Sequence, residues 1–500
     1  MRNKLHPLSI FRHSYKLSLA NIIGYVLQVP VSLYVASKLG PENYGLVAYV
    51  MLWAFYGRLI RPGFFAYASR EMPYYIGKEK PELAIRIQNI CITYESVYYI
   101  IAAAIIIIAS SFYKINLIRV GLVLVAVSLL LDLIDSSYMN AQWSYQRFNI
   151  ITKINLFKTI ITPLLTLSLV FLFHVYGLLA VPVAVSLFSI IYFFFFAPKL
   201  KFTVTFSSEN FLSFLKTGIA LQALTFLFWA FRGIDRTIIA VYFPVNQLGI
   251  YSFAIAYVHN IYKLISDFGN VLQPVILSEL GRLGDSLLIQ KEFIQMIVVM
   301  TTIGCIITNL VQAGFGAMVF WFVPKFIPSI KIFEILAFNI IFTVFFIVPS
   351  TILLSTLVNK QKICNIVYTV ALTVIILLSY PMVKIGLGIM GIVYVFVFAQ
   401  FLISILMFII SKKYLFKNSK ESFLFCSGLL AVLFISIVNY YIFSVVNFFK
   451  YYNGHILTPF IARISFAVIC WGAIVFIMYR AFTKDKIFMK LVKERFLCAE

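Results

Sequence analysis

Apolar runs of about 20 residues or more, free or nearly free of charge, recur along the chain from residue 14 to residue 480. A helix of that length crosses the ~30 Å hydrocarbon core of a bilayer. The longest run, 159–198, has no charged residue over 40 positions and is interrupted at 174–177, which predicts two helices joined by a tight turn. We predict fourteen transmembrane helices: 14–38, 43–67, 87–113, 115–139, two within 159–198, 211–243, 247–275, 293–324, 335–359, 363–383, 385–411, 422–449 and 456–480.

The predicted fold class is all-α. These runs lack the alternation of a β-barrel strand, and an open sheet would leave its edge groups unpaired in lipid. The composition agrees, because 62% hydrophobic and 12% charged residues leave too little polar surface for a soluble protein of 500 residues. The six cysteines lie far apart with no CxxC pair or His/Cys cluster, so neither a disulfide framework nor a metal site is predicted.

The formal net charge is +23, a surplus that is also typical of proteins that bind nucleic acid. The basic residues, however, fall in short connections between the apolar runs. The even-numbered connections, together with both termini, carry 30 of the 41 Lys and Arg residues, and the odd-numbered side carries about 9. The positive-inside rule therefore predicts that both termini are cytoplasmic, and the partners of the basic residues are membrane lipids rather than nucleic acid.

An internal repeat is visible at an offset of 204 residues. Residues 42–49 (ENYGLVAY) align with residues 246–253 (NQLGIYSF), and the identity in this alignment is Gly45 with Gly249. Each copy lies at the predicted outer start of a helix, the second and the eighth. Because six helices separate the copies, the two halves are expected to share one topology and to be related by an axis along the membrane normal.

The segments LGPENYGLVAY (39–49) and GIDRTIIAVYFPVNQLGIYSFAIAY (233–257) resemble the two half-signatures of the polysaccharide exporters and Wzx-type flippases of the multidrug/oligosaccharidyl-lipid/polysaccharide superfamily. In that family an Asp-Arg pair late in helix 7 precedes a Gly-x-Tyr at the start of helix 8. Here these are Asp235-Arg236 and Gly249-Ile250-Tyr251.

The resemblance implies a V-shaped arrangement around a central cavity. Its parts would be an N-terminal bundle of helices 1–6 (residues 1–197), a C-terminal bundle of helices 7–12 (198–411), and helices 13 and 14 with a basic cytoplasmic tail (412–500). It also implies a function, the alternating-access movement of a polyprenyl-pyrophosphate-linked oligosaccharide from the cytoplasmic to the outer leaflet of the bacterial inner membrane. That step serves O-antigen or capsule biosynthesis, with polysaccharide assembly enzymes as protein partners.

Charges within the predicted spans concentrate in helices 2, 4, 7 and 8, whereas helices 9 to 13 carry almost none. A charge near the bilayer centre costs roughly 2.5–3.5 kcal/mol, so this clustering suggests a shared polar cavity. Guanidinium groups bind phosphate oxygens in bidentate fashion, and Lys adds a point charge, which suits a pyrophosphate headgroup. The predicted substrate-binding residues are Arg232, Arg236, Lys263, Arg58 and Arg61.

Each of these residues has a structural alternative. Arg58 and Arg61 are close enough to the inner headgroups to snorkel. Arg232 shares one helical face with Asp235 and Arg236, at i, i+3 and i+4, so the three could neutralise one another. Lys263 stands in the same relation to Asp267, four residues further on.

The acidic residues Asp235, Asp267 and Asp132 are candidates for coupling to an H⁺ or Na⁺ gradient, because alternating access can load and empty a carboxylate within the membrane. The alternative for Asp132 and Asp135, and likewise for Glu95, is a solvated cap near a helix end. The first helix has no carboxylate, unlike that of many multidrug antiporters, which disfavours coupling by that route.

Three other functions compete with the flippase. A cation-coupled drug antiporter of the same fold should have an acidic site, and a peptidoglycan-precursor exporter would handle a similar lipid. A membrane-embedded polysaccharide polymerase or ligase usually needs a long outer loop with catalytic Arg or His, and no connection in this parse exceeds about 20 residues. We therefore expect no enzymatic activity, no catalytic residue and no cofactor.

Overall fold

The computed structural model describes residues 7–198, 202–206, 208–263, 290–355 and 358–416. Over these residues the chain is helical and contains no strand. Eight of the described helices are long and apolar enough to cross a membrane, which confirms an all-α, multi-pass membrane protein. The helices are α1 Pro7–Leu59, α2 Phe64–Gly77, α3 Pro81–Ser111, α4 Asn116–Ser144, α5 Phe148–Phe196, α6 Ser208–Phe231, α7 Ile234–Tyr242, α8 245–263, α9 Gln290–Phe322, α10 Ser329–Leu336, α11 Phe338–Leu354, α12 Gln361–Lys384 and α13 Gly388–Leu415.

Two of these helices each contain a pair of the predicted spans. The backbone of α1 breaks at Gly40, with φ 69° and ψ 173°, between spans 14–38 and 43–67. The backbone of α5 breaks at His174, with φ 50° and ψ −123°, inside the predicted turn at 174–177. Both predicted breaks are confirmed, whereas spans 422–449 and 456–480 lie outside the described residues, so the count of fourteen stays a prediction.

The second predicted span, 43–67, is wrong at its C-terminal end. Helix α1 ends at Leu59, and the turn that follows contains Pro62 and Gly63, the latter with φ 88°. Proline disfavours a helical conformation in the residue before it, and glycine accepts a left-handed φ without steric cost. The residues beyond begin the separate helix α2, which buries Phe64, Phe65, Ala68 and Met72 against its neighbours.

Contacts divide the chain into two compact units. The first comprises residues 1–253 with 379–392, and the second comprises 254–378 with 393–500. In the first, α1, α3, α4 and α5 surround a core that includes Val50, Leu122 and Leu129. In the second, α9 packs on α10 and α11, and the ring of Phe315 stacks on that of Phe333 at 3.8 Å. The boundaries predicted at 197/198 and 411/412 stay predictions.

Within the first unit, the two copies of the repeat motif touch. A Cβ added to Gly249 would collide with the Pro41 carbonyl oxygen, and a Cβ added to Gly45 would collide with the Val245 carbonyl oxygen. Pro41 and Val245 are themselves separated by 204 residues, the offset of the repeat. The contact is therefore reciprocal, as a two-fold relation between the motifs requires. The backbones of α1 and α8 approach this closely because both crossing residues are glycine.

Candidate functional site

The Asp-Arg pair and the Gly-x-Tyr motif come together in space. Asp235 lies in the first turn of α7 and is fully buried, and the Tyr251 hydroxyl on α8 donates a hydrogen bond of 2.5 Å to its carboxylate. Tyr251 is also fully buried. The tyrosine of one motif thus fixes the aspartate of the other, while Gly249 lets α8 pack closely on α1.

The predicted seventh helix, 211–243, is not continuous in the structure. This corrects the expectation that Arg232, Asp235 and Arg236 share one helical face. Helix α6 ends at Phe231 and α7 begins at Ile234. Gly233 lies between them against the Phe55 ring, where a Cβ would overlap the ring atoms. Asp235 has the Tyr251 hydroxyl as its side-chain partner rather than either arginine. The positive charge of Arg236 also acts on the Asp235 carboxylate, so mutual neutralisation of these charges stays a prediction.

The Arg236 guanidinium lies over the face of Phe55, with 5.6 Å between the guanidinium carbon and the ring centroid. One of its terminal nitrogens donates to the Arg232 carbonyl oxygen at 3.2 Å, and its Nε lies buried without a hydrogen-bond partner. No carboxylate within the described part of the chain forms an ion pair with it. Arg236 is thus a cation inside a membrane helix with hydrogen-bonding capacity to spare.

Arg232 is buried, with 7% of its surface exposed, and its guanidinium lies 4.6 Å from the centroid of the Phe228 ring. On the other side of the junction, the hydroxyls of Tyr56 and Thr237 are hydrogen-bonded at 2.6 Å. The second half of α1 therefore contacts α7 through the Phe55 ring, which packs on Arg236, and through the Tyr56 hydroxyl, which bonds to Thr237. We call Phe55, Arg232, Asp235, Arg236 and Tyr251 the junction cluster.

The acidic residues of α4 form a different polar group. Asp132 accepts a hydrogen bond from Arg58 Nε in an ion pair, and it also accepts one of 3.2 Å from the Ser186 hydroxyl. One turn further along α4, Asp135 pairs with Lys158 at 2.7 Å and accepts a hydrogen bond from Ser189. Both carboxylates lie within α4 rather than at its end.

The predicted alternatives for these residues are thus wrong. Asp132 and Asp135 are not solvated caps, because each carboxylate has a basic partner and a serine partner. Arg58 does not merely snorkel, because its guanidinium is ion-paired. A signal for the serine partners exists in the sequence, since Ser186 and Ser189 repeat the three-residue spacing of the aspartates.

Glu95 is not a solvated cap either, because only 1% of it is exposed. Its carboxylate accepts a hydrogen bond of 3.2 Å from the Phe65 backbone N–H in the first turn of α2. Arg61 donates to the Arg58 carbonyl oxygen at 2.8 Å and to the Tyr99 hydroxyl at 3.4 Å. Glu95 and Arg61 therefore hold the turn between α1 and α2 against α3, a role that the sequence pattern did not indicate.

Lys263 is exposed and belongs to the second compact unit. Asp267 lies outside the described residues, so pairing between these two stays a prediction. Of the five predicted substrate-binding residues, the structure brings Arg232 and Arg236 together at the junction cluster. It places Arg58 in the last turn of α1, three residues from Phe55, where it pairs with Asp132 on α4, and it places Arg61 just beyond α1 against Tyr99 on α3.

We expect the Arg58–Asp132 pair to contribute modestly to stability. The side chains are 39% and 18% exposed, and pairs of this kind contribute about 0–1 kcal/mol. A double-mutant cycle of Arg58→Ala and Asp132→Ala, followed by thermal unfolding in detergent, should give a coupling energy near the top of that range. The matched control is the more open Arg70–Glu71 pair at 3.6 Å, for which we expect a coupling near zero. Equal coupling in both cycles would contradict the structural role of Arg58.

The fold resembles those of solved transporters. A structure of the lipid II flippase MurJ in an inward closed conformation aligns with a TM-score of 0.67 and 16% identity, over 94% of this chain and 99% of that one. An outward-facing multidrug resistance MATE family transporter of the MOP superfamily aligns with a TM-score of 0.55 and 14% identity, over 81% and 96%. A MOP superfamily transporter from Pyrococcus furiosus aligns with a TM-score of 0.51 and 15% identity, over 81% and 96%.

A sequence comparison with curated proteins gives no match. Residues 34–323, however, match the model of the polysaccharide biosynthesis protein family. The matched range is more than half of the chain, and it contains both copies of the repeat motif and the whole junction cluster. This chain therefore belongs to the polysaccharide biosynthesis protein family and has the fold of the MOP superfamily transporters.

Proposed function

We propose that this protein moves a polyprenyl-pyrophosphate-linked oligosaccharide from the cytoplasmic to the outer leaflet by alternating access. The family supports a role in polysaccharide biosynthesis, and the fold is that of transporters and flippases. A lipid-linked substrate is favoured by the likeness of the fold to that of a lipid flippase. The family membership favours an oligosaccharide over the peptidoglycan precursor lipid II.

The observation that carries this proposal is the state of Arg236. Its guanidinium lies on Phe55, has a buried Nε without a partner, and has no carboxylate partner within the described residues. A guanidinium within a membrane that keeps a buried nitrogen without a hydrogen-bond partner is costly unless it serves a ligand or a pathway. The ligand that suits it is an anion with several oxygens, and a pyrophosphate is such an anion.

Deletion of the gene tests the function as a whole. Surface glycan should disappear, and the lipid-linked intermediate should accumulate on the cytoplasmic side. Complementation with the intact gene should restore both. If surface glycan is retained while peptidoglycan precursor accumulates, the lipid II alternative replaces the oligosaccharide.

Coupling to an ion gradient concerns the buried carboxylates. We propose Asp235 as the coupling candidate of the described residues, because it is fully buried and accepts a hydrogen bond from a hydroxyl. Asp132 is the weaker candidate, since Arg58 already neutralises it. Transport into vesicles with and without an imposed H⁺ or Na⁺ gradient tests this, and a rate that is unchanged by either gradient excludes coupling.

We also expect both termini and the basic loop 412–420 to face the cytoplasm of a cell with an inner membrane. That loop contains Lys412, Lys413, Lys417 and Lys420. Reporter fusions at residues 420 and 500 should both report the cytoplasm. A fusion at residue 420 that reports the outer side while the C-terminus is inside would contradict the predicted topology of fourteen helices.

A further inference from the structure

The connection between α5 and α6 has an unusual distribution of polar and apolar side chains. Residues 202–206 (FTVTF) form no helix or strand and alternate strictly between apolar residues and threonine. The apolar side chains point outward: Phe202, Val204 and Phe206 are 46%, 68% and 66% exposed. Thr203 is exposed as well and Thr205 is half-buried, but both residues are hydrogen-bonded to α3. This is the reverse of the pattern of an extended segment on a water-facing surface, where the apolar face is buried.

The polar face is tied to α3. Asn89 donates through its amide nitrogen to the Thr203 hydroxyl at 2.8 Å, and the Thr205 backbone N–H donates to the Thr93 hydroxyl at 3.0 Å. Asn89 and Thr93 are one helical turn apart, which matches the spacing of alternate residues in an extended chain closely enough for both bonds to form. These bonds also satisfy a backbone group that would otherwise be unpaired near lipid.

The position of the segment is fixed by its neighbours. Helix α5 before it and the helical span 211–231 after it are both long and apolar enough to cross the membrane. A connection of about a dozen residues between two such helices must lie at one membrane surface. Exposed apolar residues continue on both sides of it, at Phe194–Phe196 and Leu212.

We propose that residues 202–206 are an interfacial anchor, in which Phe202, Val204 and Phe206 insert into the boundary between the headgroups and acyl chains of the adjacent leaflet. Aromatic residues are enriched at that level of the bilayer. Cationic side chains flank the segment, at Lys199 and Lys201 in the sequence and at the exposed Lys216 on α6, and they complement anionic headgroups. The apolar side chains are therefore in contact with lipid. Because the segment is hydrogen-bonded to Asn89 and Thr93, the anchor holds this part of α3 at the membrane surface.

A depth measurement tests the anchor without reference to transport, so its result is independent of the proposed substrate. A solvatochromic amino acid is introduced at Val204 in the full-length protein, reconstituted in nanodiscs that contain anionic lipid. The control carries the same probe at Lys80, an exposed residue in the turn before α3. Emission at position 204 should be shifted to the blue, and brominated lipids should quench it most when the bromine lies about 5–10 Å below the headgroups. The probe at position 80 should be quenched by aqueous iodide instead.

Two results would overturn the proposal. Quenching of the Val204 probe by iodide but not by brominated lipid would place this face in water. Protection from both quenchers would show that protein covers it, either another part of this chain or a second copy. As a further check, the double variant Phe202→Asp with Phe206→Asp should lose the lipid quenching at position 204, because two carboxylates oppose insertion.

Discussion

Replacing Gly249 by valine should leave almost no folded protein in the membrane. The new side chain would overlap the Pro41 carbonyl oxygen and approach the Gly45 backbone nitrogen at 2.8 Å, and both are backbone atoms that cannot rotate away. Overpacking of a well-packed site costs about 1–3 kcal/mol and more when the backbone must move. Because both copies of the repeat meet where α1 and α8 cross, we expect the loss of stability to reach or exceed the upper end of that range. Fluorescence-detected size-exclusion chromatography of tagged protein measures it.

The matched control is Gly77→Ala at the end of α2, where an added Cβ meets no atom within 4 Å. That variant should accumulate normally. The reciprocal variant Gly45→Val should fail as Gly249→Val does, because its side chain would meet the Val245 carbonyl group. Normal abundance of either valine variant would show that α1 and α8 do not cross at these glycines.

The reciprocity of this contact gives the repeat a physical meaning. One identity in eight aligned positions is weak evidence by sequence alone. In the structure, however, the identical residue is the one position in each motif where another residue would separate the backbones. The neighbouring positions can differ because they meet through side chains rather than backbone, as Tyr44 and Phe253 do with 6.0 Å between their ring centroids. A short, poorly matched repeat can therefore mark a real structural relation when its single identity lies at a glycine contact.

Hydropathy predicted the membrane-spanning class and the breaks at Gly40 and His174, because a change of direction in lipid requires a local departure from helical dihedral angles. It failed at α2. Apolar residues continue beyond Arg61 on both sides of Pro62 and Gly63, so a rule based on hydropathy alone extends the helix past its end. Giving more weight to the Pro-Gly pair would have found the turn.

The site was predicted in part, for a similar reason. That Arg232, Asp235 and Arg236 matter could be inferred from their position within an apolar span. Their partners could not, because Tyr251 and Phe55 are distant along the chain and carry no charge to mark them. Spacing rules within one helix paired Asp235 with its neighbours, but the interruption at Gly233 changed which residues face one another.

The structure also changes which arginine we expect to matter most. Arg232 is preceded by a long apolar stretch in the sequence, which by itself favours it over Arg236 as a ligand of the substrate. Arg236 is the residue with a buried, unsatisfied Nε and with a guanidinium held in a fixed plane by Phe55. A guanidinium that is already oriented loses less entropy when it binds a phosphate group. Both remain in the proposed site, with Arg236 making the stronger contact.

Replacing Arg236 by alanine should therefore abolish export of the lipid-linked oligosaccharide while the protein accumulates normally. A hydrogen-bonded charged contact contributes about 1.5–3 kcal/mol, or roughly a 10- to 150-fold loss of transport. Arg236→Lys should recover part of the activity, since it keeps the charge but loses the bidentate geometry, and Arg236→Glu should be worse than alanine because it repels the phosphates. Outer-leaflet glycan is measured alongside membrane-inserted protein for each variant.

The control for this series separates binding from structure. Tyr251→Phe removes the hydroxyl that holds Asp235, so it should lower abundance by leaving a buried carboxylate without its partner. If Arg236 were likewise structural, Arg236→Ala would lower abundance in the same way, and the double variant Arg236→Ala with Asp235→Ala would restore both abundance and export. Abundance and export are measured in the same way for the double variant Arg232→Ala with Asp235→Ala. A rescued double variant would remove that arginine from the substrate site, whereas normal abundance with lost export in the alanine and glutamate variants supports a bound pyrophosphate.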